Sequence, residues 1–271
     1  MTKETADLLR QTLDAALAHL ATLGERRPFP APAAVRALAG FDEPWPEEKT
    51  APAAAIAQLA ALGSPAATAM NGGRYFGFVM GGCLPATLAA NWLAGTWDQN
   101  AVNAVASPLA AKVEQVTSRW LLEALDLPRG AVVGYTSGAA SANFSALAVA
   151  RHALLARSGW NFRRQGARAA PALRVLVGAE AHPVVTKALS LLGFGMESLE
   201  ILAVDDQGRI DAGKLPTLDG RTLVVAQAGN VNSGHSIPSP RSAPAPGRRA
   251  PGSMSTAPSD CGRGPRARKN I

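Results

Sequence analysis

Apolar positions along this chain follow two periods in a fixed order, and the order predicts the architecture. Near the start, Leu8, Leu9, Leu13, Leu17 and Leu20 recur on one side of a helix that opens at Met1-Thr2-Lys3-Glu4-Thr5. A second helix follows Asn103-Ala104-Val105-Ala106-Ser107-Pro108 and ends at Leu125-Asp126-Leu127-Pro128. Ala131-Val132-Val133-Gly134-Tyr135 then reads as a short buried strand. Behind it, Leu147, Val149, Ala150, Leu154 and Leu155 return to helical spacing. Strands are predicted at Leu173–Val177, Leu199–Val204 and Thr222–Ala226, with a helix over Val184–Leu192. Asp205-Asp206-Gln207-Gly208 supplies a turn, and Asp211 caps a short helix before Leu215. Strands alternating with helices imply an α/β fold with a mostly parallel sheet, here preceded by an N-terminal helical segment.

This pattern stops at Gly234. From His235 onward the chain has seven prolines and no Leu, Val, Phe, Tyr or Trp. Such a segment cannot bury enough apolar area to offset its conformational entropy, so a disordered tail is expected. The organisation predicted is a helical segment over 1–105, a partial large domain over 106–234 and a basic Pro/Arg/Ser-rich tail over 235–271. The charge follows the same boundary. The whole chain of 271 residues carries +7. Arg241, Arg248, Arg249, Arg263, Arg266, Arg268 and Lys269 face one acid, Asp260, in the tail, which leaves the body near neutrality at +1. A neutral body gives no reason to expect a nucleic-acid partner. Cys83 and Cys261 stand far apart and offer neither a disulfide framework nor metal-ligand spacing. No stretch has the apolar core of a secretory signal or a membrane span, so the cytoplasm is the expected compartment.

Candidate chemistry begins at Tyr135-Thr136-Ser137-Gly138-Ala139-Ala140-Ser141-Ala142-Asn143, a small-residue turn between the predicted strand and the long helix. The first helical turn leaves its N–H groups unpaired, and these donors favour a dianionic phosphate. Gly138, Ala139 and Ala140 leave room for the phosphate to approach the backbone. Tight helix–strand packing asks for small residues too. His182 follows Val177-Gly178-Ala179-Glu180-Ala181 at a strand's carboxyl end, where ligands of α/β proteins gather. A histidine there is also an ordinary helix cap.

Taken in order, Arg74-Tyr75-Phe76-Gly77-Phe78, the Asn103–Pro108 segment, Thr136-Ser137-Gly138, Ala181-His182 and Gly229-Asn230-Val231-Asn232-Ser233-Gly234 resemble the pyridoxal-phosphate-dependent amino acid decarboxylases. The resemblance spans Arg74 to Gly234 and covers the group that includes the aromatic-amino-acid and glutamate decarboxylases. It implies a fold-type-I pyridoxal 5'-phosphate (PLP) enzyme, incomplete at its C-terminus, with an amino acid as substrate and a homodimer as the intact assembly. By the same resemblance, Gly138, Ala139 and Ala140 hold the cofactor's phosphate and His182 stacks on its ring as a catalytic group. Asn230 lies near the ring substituents, and Phe78 faces the substrate, although Phe78 fits a core position equally well. An aminotransferase, a carbon–carbon lyase or a non-catalytic dimerising fragment would share these features.

The family also needs a Schiff-base lysine, and an acid beside the pyridine nitrogen that lies in an HVDGA string. Neither has a counterpart here, which implies a catalytically incomplete chain. With permissible codon choices, His235–Gly262 can be encoded by DNA whose neighbouring frame reads AFDPIAEICARARAAGAWIHVDGAFGLW. That string begins directly after Gly234 and contains HVDGA, so a single-base frameshift near the Gly234 codon is expected.

Overall fold

A computed structural model describes residues 2–235 and, as backbone, the four residues 253–256. The chain divides into two compact units, Met1–Gln99 and Asn100–Ile271.

The first unit is helical. Helix α1 (Lys3–Ala21) starts where the Thr2 hydroxyl accepts from the Thr5 N–H. Two short helices, α2 (Pro32–Ala37) and α3 (Pro52–Gln58), each open on a proline, whose fixed φ and missing N–H suit that position. A longer helix, α4 (Pro85–Trp97), also opens on proline and stops at Asp98 in the left-handed conformation. Polar ties hold the turns between them. Arg74 Nη2 donates to the carbonyls of Gly24 (2.7 Å) and Arg26 (2.9 Å), and Arg26 donates to the carbonyl and hydroxyl of Ser64. Phe29 meets the buried Tyr75 edge-on at 5.8 Å. The leucine stripe of α1 does not form a core: Leu9, Leu13, Leu17 and Leu20 are all exposed. Half-buried positions on this helix are Ala6, Leu8, Gln11, Thr12, Ala15, Ala16 and His19, so Leu8 is the one leucine of the stripe with partial cover.

In the second unit, α5 (Pro108–Ala124) is capped by the fully buried Ser107, whose hydroxyl accepts from the Ala110 N–H. Helix α6 (Ala139–Arg157) leads to strand β1 (Arg174–Gly178). Helix α7 (Pro183–Leu191) then crosses to β2 (Leu199–Leu202), and β3 (Thr222–Gln227) follows. The sheet order is β2-β1-β3-β4, with β4 at Ser253–Thr256, and every pair is parallel. Val175 and Val177 of β1 join Leu223 and Val225 of β3 on one face, under Leu147, Leu154, Val185 and Leu189 of α6 and α7. Leu176 points the other way, into a second cluster with Leu202 and Ile210. Cover on both faces explains why β1 and β3 contain the unbroken apolar runs Val175–Val177 and Leu223–Ala226.

Three expectations need correction. The segment Ala131–Tyr135 forms no strand, since it pairs with no strand among the described residues, and Val132 stands in solvent. Val204 belongs to an isolated antiparallel bridge with Ile210 rather than to β2, because the Asp205–Gly208 turn folds the chain back. The tail was expected to lack regular structure, yet β4 (Ser253–Thr256) lies parallel to β3. An open strand edge is a template for any proline-free extended segment. The remainder of the expected tail and frameshift region, 236–252 and 257–271, lies outside the described residues.

Candidate active site

Helices α6 and α7 pack against one another in the same core cluster, and Arg151 of α6 donates from Nη1 to the carbonyl of Leu192 at the end of α7 (2.6 Å). Helix α7 crosses between the parallel strands β1 and β2, so its N-terminus lies at the carboxyl end of the sheet. Of the sequence-derived groups of this unit, Gly138–Ala140 stand at the N-terminus of α6 and His182 at that of α7, while Asn230 lies in the loop after β3.

Gly138 is the N-cap of α6 and contributes no side chain, so the first-turn amides of this helix carry no side-chain cap. Residues 136–142 are exposed, and nothing lies within 4 Å of where a Cβ on Gly138 would sit. The approach to these donors is therefore open. Neighbouring bonds fix the turn: Thr136 Oγ1 donates to the Gly138 carbonyl (3.1 Å), and Asn143 Nδ2 donates to the Ala139 carbonyl (2.8 Å). The Tyr135 hydroxyl shares a 2.7 Å hydrogen bond with Thr117 Oγ1 and ties the turn to α5. An uncapped helix N-terminus with room at its glycine suits an oxyanion such as phosphate.

His182 is the N-cap of α7, with Nδ1 accepting from the Val184 N–H at 3.2 Å. The bond places the neutral ring's proton on Nε2. The capping role is thus real, and the exposed ring remains able to meet a planar ligand.

Asn230 is buried and heavily engaged. Its Nδ2 donates to Glu180 Oε2 (2.8 Å), and its Oδ1 accepts from the N–H groups of Asn232 (2.8 Å) and Ser233 (3.4 Å). Ser233 Oγ donates to the Gln207 carbonyl at 2.7 Å. Asn230 therefore locks together the loops after β1, β2 and β3. Gly208, at φ +73°, completes this lock, because a Cβ there would collide with the Asn230 amide and the Glu180 carboxylate. Glu180 and Gly208 were missed by sequence reasoning. A carboxylate two residues before His182, at a strand's end, was the signal that could have found Glu180. The Asp205 carboxylate shapes the same turn, accepting from the N–H groups of Gln207 and Arg209 and from Arg209 Nε. The Arg209 backbone N–H leads in holding its pKa below the usual carboxylate value.

Phe78 belongs to the first unit. It is 79% exposed with φ +55°, and Val79 beside it shares that conformation, so Tyr75 rather than Phe78 is the core aromatic of its segment. Among the described residues no cluster of His, Cys, Asp or Glu could hold a metal ion, and no helix is long and apolar enough to cross a membrane.

No family model matches the chain. It is 31% identical to the L-2,4-diaminobutyrate decarboxylase of Rhizobium meliloti (strain 1021) over 143 residues, which make up 53% of this chain and 25% of that protein. The enzyme of the same name from Acinetobacter baumannii is 25% identical over 163 residues, covering 54% of this chain and 31% of the relative. Among solved structures, the glutamate decarboxylase domain of a Vibrio parahaemolyticus protein superposes with a TM-score of 0.73 at 20% identity, over 87% of this chain and 53% of that one. Mouse CSAD in its apo form gives a TM-score of 0.73 at 17% identity, over 86% and 50%. Oryza sativa TDC with PLP and tryptamine gives 0.69 at 19%, over 85% and 50%. The chain thus spans a third or less of the curated relatives it matches and about half of the solved chains. In sequence the chain is similar over about half its length to two L-2,4-diaminobutyrate decarboxylases, and in fold to solved decarboxylase structures, TDC with PLP and tryptamine among them.

Proposed function

We propose that this chain is the phosphate-gripping and ring-supporting part of a PLP-dependent amino acid carboxy-lyase, and that it is catalytically incomplete by itself. The observation that carries the reading is the open, uncapped N-terminus of α6 at Gly138, in the same unit that presents His182 at the N-terminus of α7. Gly138, Ala139 and Ala140 would hold the phosphate through backbone donors. His182 would set its imidazole face against the ring, its orientation fixed by the Val184 N–H, with Nε2 left to carry a proton. Asn230 acts on the ring substituents through the loop it locks, since most of its amide is committed. Phe78, on an exposed strained turn, would contribute to the substrate side, and a homodimer is the expected assembly. When bound, PLP supplies an electron sink for the bond lost from an amino acid's α-carbon. Using that sink takes a lysine amine and an acid at the ring nitrogen. Of the described lysines in the second unit, Lys187 is an exposed residue of α7 that matches no family motif.

The test compares PLP with pyridoxal, which lacks the phosphate, by equilibrium dialysis against the purified chain. PLP should bind at least about tenfold more tightly, a difference of about 1.4 kcal/mol, and Gly138→Asp should erase the preference. Equal binding of the two would refute the cradle. Carbon dioxide release from an amino acid by this polypeptide alone would refute the incompleteness.

A further inference from the structure

Strand β4 runs parallel to β3, with Val224 opposite Ser253 and Gln227 opposite Thr256. Adjacent parallel strands need a crossover of a dozen or more residues, usually a helix laid on the sheet. The connection over 228–252 is long enough, but its composition is wrong for that task. Pro238, Pro240, Pro244, Pro246 and Pro251 break any helix, and no Leu, Phe, Tyr or Trp is present to cover the sheet.

The genetic code supplies what the written residues lack. In the frame that starts one base earlier, each position is read from the last base of the preceding codon and the first two bases of its own. A serine encoded TCN then becomes Phe, Leu, Ile or Val, whatever base precedes it. The serines therefore mark apolar positions in the other frame. Ser236, Ser239 and Ser242 fall three apart, on one face of a helix, and Ser253 and Ser255 fall two apart, on one face of a strand. The second pair coincides with β4. By the same rule Ile237, Met254 and Thr256 become Tyr, His, Asn or Asp, so β4 would alternate apolar with polar.

One choice of the free bases gives AFDPIAEICARARAAGAWIHVDGAFGLW over His235–Gly262. This string contains an aspartate N-cap at the place of Ile237, proline at the first helical position, an apolar stripe and a glycine stop, followed by the alternating strand. We propose that the sequence after Gly234 is read one base out of frame, and that the earlier frame encodes the crossover helix and fourth strand for which this sheet is built. The inference rests on strand register and codon structure, and it holds independently of the reaction proposed above.

Codons decide first. The Gly234 codon should end in G, all of Ser236, Ser239, Ser242, Ser253, Ser255 and Ser259 should be TCN, and the earlier frame should be open through position 262. An AGY serine among them, or a stop, overturns the proposal. The second test inserts one base at the Gly234–His235 junction and compares both chains by proteolysis under native conditions. Cleavage within residues 100–234 should slow by about tenfold or more in the restored chain. If the two chains are cut at equal rates, the restored segment does not complete the sheet and the proposal fails.

Discussion

Residues 1–99 and residues 100–235 hold comparable shares of apolar side chains but place them differently. In the second unit Leu147, Leu176, Leu189 and Leu223 are fully excluded from solvent, on both faces of one sheet. In the first, α1 buries no residue, and Ala69 and Tyr75 are the buried apolar residues among those described. The second unit therefore carries its own hydrophobic driving force. The first is organised by polar ties from Arg26, Arg74 and His19, which contribute much less each.

The largest expected effect tests that contrast directly. Leu147→Ala should cost about 3 kcal/mol, since it empties a site packed between two helices and the sheet. Leu13→Ala, on the exposed stripe of α1, should stay within about 0.5 kcal/mol. Urea unfolding followed by circular dichroism measures both. Similar costs would show that α1 is covered in solution and would dissolve the comparison.

A smaller effect probes how the carboxyl end of the sheet is locked. Gly208→Ala forces a side chain into a left-handed turn and against Asn230 and Glu180, and should cost about 2 kcal/mol. Gly220→Ala, where nothing lies within 4 Å and φ is not positive, should be close to neutral. If the two behave alike in thermal unfolding, the lock is not rigid.

The same contrast explains what was legible in the sequence. The parallel strands of the second unit were readable because Val175, Val177, Leu223 and Val225 are buried for the reason their pattern suggests. Asp211 caps its short helix as expected, accepting from the Gly213 N–H at 2.9 Å. The N-terminus that carries His182 followed from strand–helix order, whereas the one at Gly138 followed from the helical spacing behind it, since the strand predicted ahead of it does not form. Position along the chain did not reveal pairing: Ala131–Tyr135 has a strand's composition but pairs with no strand among the described residues. Nor did it reveal which side of α1 is covered, because a leucine stripe states a need for burial without naming a partner. The Glu180–Asn230 bond joins residues fifty positions apart, and no local period encodes such a contact.

The smallest effect separates the units by pH. In the first unit His19 Nδ1 shares a 2.8 Å hydrogen bond with Ser64 Oγ, where burial first and the Arg26 charge second hold its pKa below the ordinary histidine value. The unfolded chain then binds a proton more readily than the folded one. Stability from this site is present above about pH 6.5 and is lost as pH falls through the lowered folded value. In the second unit the depressed groups are carboxylates: Glu200 through its bond to Arg174, Asp205 through the Arg209 backbone, and Asp219 through Thr222. Their contribution persists until pH drops below about 4. Moving from pH 7.5 to 5.5 should therefore lower amide protection around α1 and Ser64 by about twofold, after correction for intrinsic exchange, and leave β1 and β3 unchanged. His19→Gln should abolish the change. A loss of protection shared equally by β1 would mean that the two units open together, and that the polar ties of the first are not what limits its stability.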